Sequence, residues 1–217
     1  PTWDVPALDM TDYAPLKHTM WELDSHPQET SENSVDIGHL SIVHGYEKVD
    51  VLEPLKTEGP YLYSKYTMTR RADFVGMSLS KIKANFEVHV HGLGYSFVQV
   101  EIPQMGMRTR QFVLSTPVGD NRIQLRIALA VEYIKKPGKI FPPFALLPGK
   151  LVTKLVSNGA FKGFMHDVGQ DFKIWENKVY VQPPALAAGD GPVGQYRVWA
   201  KQFYPKDSKP ELMAKIA

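Results

Sequence analysis

Residues 84–102 read ANFEVHVHGLGYSFVQVEI, and their period-two alternation decides the fold. Phe86, Val88 and Val90 fall on one face of an extended chain, His89 and His91 on the other. The run is rich in β-branched and aromatic residues, which suit a pleated, half-buried surface. Gly92-Leu93-Gly94 interrupts it where a hairpin needs its turn.

The same pattern extends outward through YLYSKYTMTR (61–70) and TRQFVLSTPVGDNRIQLRIALAVEYI (109–134), with a second turn at Gly119-Asp120-Asn121. Together these runs predict an antiparallel meander of five or six strands. From Gly149 to Trp175 the apolar spacing becomes helical, through Leu151, Leu155, Val156, Phe161, Phe164, Val168 and Phe172. One long helix is expected there, with a soft point at Gly159. Before it, KIFPPFALLP (139–148) is apolar and broken by prolines, which suits an entrance lid over a cavity or a lead-in to the helix.

Residues 1–26 read as an extended lead-in, and Pro27 to His44 as a helix. Thr30 or Ser31 would cap it, Glu29 and Glu32 favour its positive end, and Gly45 stands past its close. The tail after Tyr180 is rich in Pro and Gly and is expected to fray over 206–217. Helix, antiparallel sheet and long helix make an α+β fold. A curved antiparallel sheet is covered by a long C-terminal helix, in a helix-grip, START-like arrangement. At 217 residues a single domain spanning 1–217 is expected.

Net charge is +2 with acids and bases interspersed, which argues against a nucleic-acid surface. No apolar run approaches the roughly 20 residues of a membrane span. PTWDVPALDMTDY at the start has neither the basic opening nor the apolar centre of a signal peptide, so a cytoplasmic location is expected. There is no cysteine, which excludes disulfides, thiolate nucleophiles and Cys-ligated zinc or iron–sulfur clusters. Any metal must be held by His, Asp or Glu, a set that suits iron, manganese or zinc.

Those residue types gather in NSVDIGHLSIVHG (33–45), where Asn33, Asp36, His39 and His44 interrupt an apolar stretch. Asp36 and His39 would share a helix face, whereas His39 and His44 would diverge by about 140° on a regular helix. A shared metal therefore demands distorted backbone near Gly38 or before Gly45. Two further carboxylates stand on the predicted long helix. Asp167 and Asp171 lie four apart on one face, near His166, and spacing alone does not choose between them. His89 and His91 could line a cavity or bind a second metal, or simply face solvent.

Asn-x-x-Asp-x-x-His-x4-His resembles the iron-binding motif of the catalytic domains of Rieske non-heme iron oxygenases. The likeness centres on SENSVDIGHLSIVHGY (31–46) and resumes at QDFKIWENKVYVQPP (170–184) and GPVGQYRVWAKQFYP (191–205). It is most similar to the steroid-acting branch, the ketosteroid 9-alpha-hydroxylases and cholesterol 7-desaturases. The resemblance implies that His39, His44 and Asp171 hold mononuclear Fe(II), with the flanking Ile174-Trp175 favouring Asp171 over Asp167. It implies that Asp36 hydrogen-bonds a ligand histidine and links it to the Rieske cluster of a neighbouring subunit, with Asn33 near the iron.

It further implies oxidation of a steroid-like or other bulky apolar substrate with O2. Electrons would come from a 2Fe-2S Rieske cluster in a partner, served by a reductase, in a trimer or a heteromer built on one. PTWDVP resembles the point where the catalytic domain follows the Rieske domain. A chain without cysteine is then expected to be one subunit of a split oxygenase or a piece of a longer protein. Phe86, Val88, Tyr95, Phe97, Phe112 and Phe141 are candidate linings of the substrate cavity. A non-catalytic sterol or lipid carrier of the same fold is the alternative. A zinc hydrolase is weaker, because no flanking general base is seen.

Overall fold

A computed structural model describes residues 3–74, 77–181, 183–187 and 189–205. Seven strands form one antiparallel sheet: β1 Lys17–Leu23, β2 Lys48–Glu58, β3 Tyr61–Phe74, β4 Met77–His91, β5 Tyr95–Ile102, β6 Met107–Gly119 and β7 Arg122–Val131. Their order is β1-β7-β6-β5-β4-β3-β2, so β2 to β7 meander and β1 returns beside β7. Gly92, at φ +67°, and Asn121, at φ +55°, supply the left-handed backbone of the two foreseen turns.

Two strands lie outside the foreseen meander. β1 sits within the expected lead-in, where only Trp21 and Leu23 are apolar on its inward side. β2 carries Pro54 and two register shifts, both tolerated because it is an edge strand. The predicted helix from Pro27 to His44 is instead two short ones, α1 Pro27–Glu32 and α2 Ile37–Ile42. α1 is capped by the His26 ring, which accepts from the Gln28 amide, and not by Thr30 or Ser31. Those hydroxyls donate instead to the carbonyls of Pro27 and Leu93.

The long helix α3 runs Gly149–Asn177 without a break at Gly159, and α4 Val193–Ala200 lies in the expected irregular tail. The predicted fray over 206–217 falls outside the described residues. α3 lays Val168 and Trp175 on Leu23, Ile123, Leu125 and Ile127. Its first turns place Val152 and Val156 against Met105, Ile134 and Ile140. The other half of that face of the sheet, with Leu62, Met68, Val88 and Val90, is covered by Val35 from the α1–α2 turn and by Leu40, Tyr196 and Trp199 from the shorter helices.

The opposite face of the sheet is packed by the N-terminal segment, where Leu8 and Met10 meet Phe97, Phe112 and Ala128. Tyr95, Phe97 and Phe112 therefore do not line a cavity under the helices: strand alternation turns them to the far side. His89 is there too, stacked on Phe97 at 4.4 Å and hydrogen-bonded to the Tyr61 hydroxyl at 2.8 Å. Both strand histidines are half-buried among aromatic rings, neither free in solvent nor beside the helices. KIFPPFALLP follows a 3-10 turn at Pro137–Lys139 and forms a second at Pro142–Leu146, where Phe141 packs edge-on against Phe144. Neither of the two cavities described below draws a wall from that stretch.

Candidate metal centre

The break between α1 and α2 sets the geometry. Asp36 leaves helical conformation and caps α2, its Oδ1 accepting from the His39 amide at 3.2 Å. α2 ends at Ile42, and Gly45 turns the chain at φ +68°. His44 thus leaves the helical spiral and returns toward His39, their rings 5.0 Å apart. The required distortion lies before Gly45, not at Gly38.

The turn is held from outside. A Cβ on Gly191 would lie 1.6 Å from the Val35 carbonyl oxygen, so the 191–205 segment presses directly on residues 35–37. Gly191→Ala is expected to lower the thermal midpoint by several degrees, because backbone must shift to admit a methyl. A melting curve matching the parent would mean the segment is not seated there.

Across from the turn, α3 supplies Asp171, which is buried. One ligand-capable atom from each of His39, His44 and Asp171 lies within 4.8 Å of the others, and this is the one such group of His, Asp and Glu among the described residues. His44 Nε2 stands 3.5 Å from Asp171 Oδ2. The remaining ring nitrogens are occupied: His39 Nδ1 donates to the Asp36 carbonyl at 2.5 Å, and His44 Nδ1 to Gln170 Oε1 at 2.9 Å. Each Nδ1 faces an acceptor and keeps its proton, which leaves each Nε2 lone pair for the centre. Asp36 thus holds the His39 ring through its carbonyl, while its carboxylate holds the backbone.

Electrostatics divide the two imidazoles. Burial holds His39 below its ordinary range against the pull of the Asp171 charge. At His44 burial is outweighed by the hydrogen bonds to Asp171 and Gln170 and by the charges of Asp171 and Asp167, so that ring is pushed up. Asp171 Oδ1 is buried with no hydrogen-bond partner. An orphaned carboxylate oxygen beside two converging imidazoles fits a divalent cation, which would satisfy all three at once.

The centre opens on a cavity of about 130 Å3 walled by Leu40, Tyr46, Tyr66, Phe86, Val98 and Phe164 among others. Of the foreseen lining residues only Phe86 is there; Val88 is fully buried core behind it. Asp167 lies on the cavity wall, outside the convergent set. Asn33 closes α1, in the turn three residues before Asp36. A second cavity of about 230 Å3, between the α1–α2 turn and β2, shares Tyr66 as a wall.

Sequence reasoning had not singled out Gln170, although it precedes Asp171 in the quoted block. It also missed Gln111, a polar side chain at an inward position of β6 where alternation expects an apolar one.

The sequence profile of the 3-ketosteroid 9alpha-hydroxylase C-terminal domain matches residues 1–204. The probable 3-ketosteroid-9-alpha-monooxygenase oxygenase component of Rhodococcus rhodochrous is 26% identical over 204 residues, covering 87% of this chain and 46% of that protein. The cholesterol 7-desaturase of Caenorhabditis elegans is 24% identical over 239 residues, covering 98% and 51%. The chain thus spans about half the length of these relatives. Among solved structures, NdmA of Pseudomonas putida CBB5 superposes with a TM-score of 0.58 at 14% identity, covering 91% of this chain and 53% of that one. This last likeness speaks for the fold.

Proposed function

This chain belongs to the 3-ketosteroid 9alpha-hydroxylase C-terminal domain family, and from that premise we propose that it is the oxygen-activating component of a Rieske-type oxygenase. Its ligands would be His39, His44 and Asp171 around mononuclear Fe(II), and its substrate a steroid-like apolar molecule. The observation that carries the reading is the convergence of those three side chains at the wall of an apolar cavity. A sterol carrier of the same fold has no use for them.

Ferrous iron, when bound, supplies the one-electron chemistry that O2 requires and that no side chain offers. The residues do the rest. Two neutral imidazoles and one carboxylate would hold the ion at the wall of the apolar cavity. The Asp36 carbonyl and Gln170 fix the rings so that neither Nδ1 competes for the ion. Leu40, Phe86, Val98, Phe164 and Val168 present an apolar wall that orients an apolar substrate and excludes water. At about 130 Å3 that cavity is small for a polycyclic body, since drug-sized ligands take roughly 300–1,000 Å3. The substrate would extend past Tyr66, which stacks on Phe86 at 5.8 Å, into the second cavity.

Electrons would arrive from a 2Fe-2S Rieske protein or domain served by a reductase, in a trimeric or heteromeric assembly, with Asp36 as the bridge. Asp36→Ala should retain iron yet lose single-turnover reduction by the Rieske partner. Its lost cap should also lower stability by about 1 kcal/mol. Asp36→Asn keeps the cap, so a transfer defect shared by both variants isolates the carboxylate charge. Loss of iron in both would make Asp36 a ligand instead.

Anaerobic loading with ferrous iron tests the whole reading: stoichiometric iron is expected by metal analysis. Turnover of a ketosteroid is then expected only with a cysteine-bearing Rieske partner present. A chain that takes up no iron would sink the proposal.

A further inference from the structure

The overall charge of +2 conceals a local asymmetry. Residues 133–166 carry six lysines, no arginine and no acidic residue. Lys135, Lys136, Lys139, Lys150, Lys154 and Lys162 are all exposed. Lys135 reaches Glu132 at 3.9 Å and Lys150 lies over the Tyr133 ring; the other four have no carboxylate partner among the described residues.

Apolar side chains stand out among these charges. Leu146 is 92% exposed, on the 3-10 turn Pro142–Leu146, and Leu151 and Leu155 are 46% and 50% exposed on the first turns of α3. They cannot fold inward. Ile140, Phe144, Leu147, Val152 and Val156 already fill that part of the core. Leu151 and Leu155 are four apart and form one row on the helix, with Lys150 and Lys154 as the row beside it. The prolines at 142, 143 and 148 stiffen the loop that holds Leu146 outward.

We propose that this face, Leu146, Leu151 and Leu155 ringed by lysines, docks on an anionic phospholipid surface. The leucines would enter the headgroup layer, and the lysines would spread their stems and keep their ammonium groups at the phosphates. Composition argues for lipid over an acidic protein. Protein interfaces favour arginine and are depleted of lysine, and this face has only lysine. A second copy of the same face is repelled by like charge. A surface of this kind places the protein where apolar compounds concentrate.

The test is sedimentation of the full chain with phosphatidylcholine vesicles, with and without phosphatidylserine. Binding should need phosphatidylserine and weaken with salt. Lys150→Gln/Lys154→Gln should weaken it by about thirtyfold. Leu146→Ser should weaken it by about tenfold at unchanged charge. Lys48→Gln/Lys56→Gln, on β2, should leave it as in the parent. Melting curves and iron content should not change in any of these variants, which keeps the result independent of the metal reading. Failure to bind phosphatidylserine vesicles overturns the proposal. So does equal loss in the β2 control. Loss in the lysine variant with none in Leu146→Ser also overturns it, because that is the charge-only contact an acidic protein would make.

Discussion

Asp171→Ala, loaded anaerobically with ferrous iron, is expected to return only background metal while the parent chain returns stoichiometric iron. Asp171 is the sole anion in the convergent set, and its Oδ1 has no other partner to satisfy it. Truncation would remove both a proposed ligand and the charge that would offset a dication at that cavity wall. Gln170→Ala should fall between parent and Asp171→Ala. It frees the His44 ring to turn without removing a ligand, and loss of such an orienting partner typically costs ten- to a hundredfold in metal affinity. Asp167→Ala should bind iron as the parent does, because its carboxylate lies on the cavity wall outside the set. Metal analysis across the three variants decides among these. Iron kept by Asp171→Ala and lost by Asp167→Ala would move the third ligand one turn down α3.

That choice marks how far the sequence could be read. Asp167 and Asp171 share a helix face, so periodicity places both near the centre and ranks neither. What separates them is depth: Asp171 is buried and joins the convergent set, and Asp167, one turn earlier, is half-buried and does not. Helical spacing alone put His39 and His44 on divergent faces. The structure reconciles them by ending α2 at Ile42, which Gly45 announces but cannot date to the residue. The meander from Tyr61 to Val131 was legible because its alternation is strong and its turns carry Gly and Asn. β1 and β2 were not, because edge strands have one neighbour and can carry the polar residues and proline that blur the pattern. α4 was hidden for another reason. Tyr196, Arg197 and Trp199 look like an irregular aromatic tail until Tyr196 and Arg197 are found bonded to Gln28 and Glu32 of α1, and Trp199 to the Gly59 carbonyl.

The junction between α4 and α1 carries the largest expected stability effect. Arg197 donates to both Glu32 oxygens at 2.7 and 2.9 Å, and Lys178 lies 2.7 Å from Glu29 and 2.8 Å from Glu32. The Tyr196 hydroxyl donates to the Gln28 carbonyl, and the Tyr204 hydroxyl to its side chain. All six residues of α1 are buried, so neither carboxylate has water to fall back on. Arg197→Met is therefore expected to cost about 3 kcal/mol in urea denaturation, because it removes both guanidinium hydrogen bonds from the buried Glu32 carboxylate and leaves it to Lys178. Arg197→Lys should recover only part of this, since an ammonium cannot reproduce the two-pronged contact. Glu32→Leu/Arg197→Leu should recover most of it, because no buried charge is then left alone and Lys178 keeps Glu29. A double variant as unstable as Arg197→Met would mean that packing, not charge, holds the junction.

The pH dependence of that stability has a defined sign. Burial would raise the Glu32 carboxyl, but the Arg197 hydrogen bonds and the Lys178 charge outweigh it and hold it below its ordinary 4.5. Its contribution is complete above that value and is lost as pH falls through the lower, folded one. Lys178 runs the opposite way. Burial would lower its ammonium, yet Glu29 and Glu32 keep it above its ordinary 10.5, so its contribution is complete below that value and is lost as pH rises through the folded one. Urea midpoints in the parent should hold level, as far as this junction sets them, through neutral pH and fall on the acid side below about 4.5. In Glu32→Gln the part of that fall due to Glu32 should vanish. Because α1 leads directly into the Asn33–Asp36 turn, the same acid step should release iron in the parent before the sheet unfolds, with metal loss leading the far-UV signal. Simultaneous loss of metal and sheet would show instead that the junction and the meander melt as one unit.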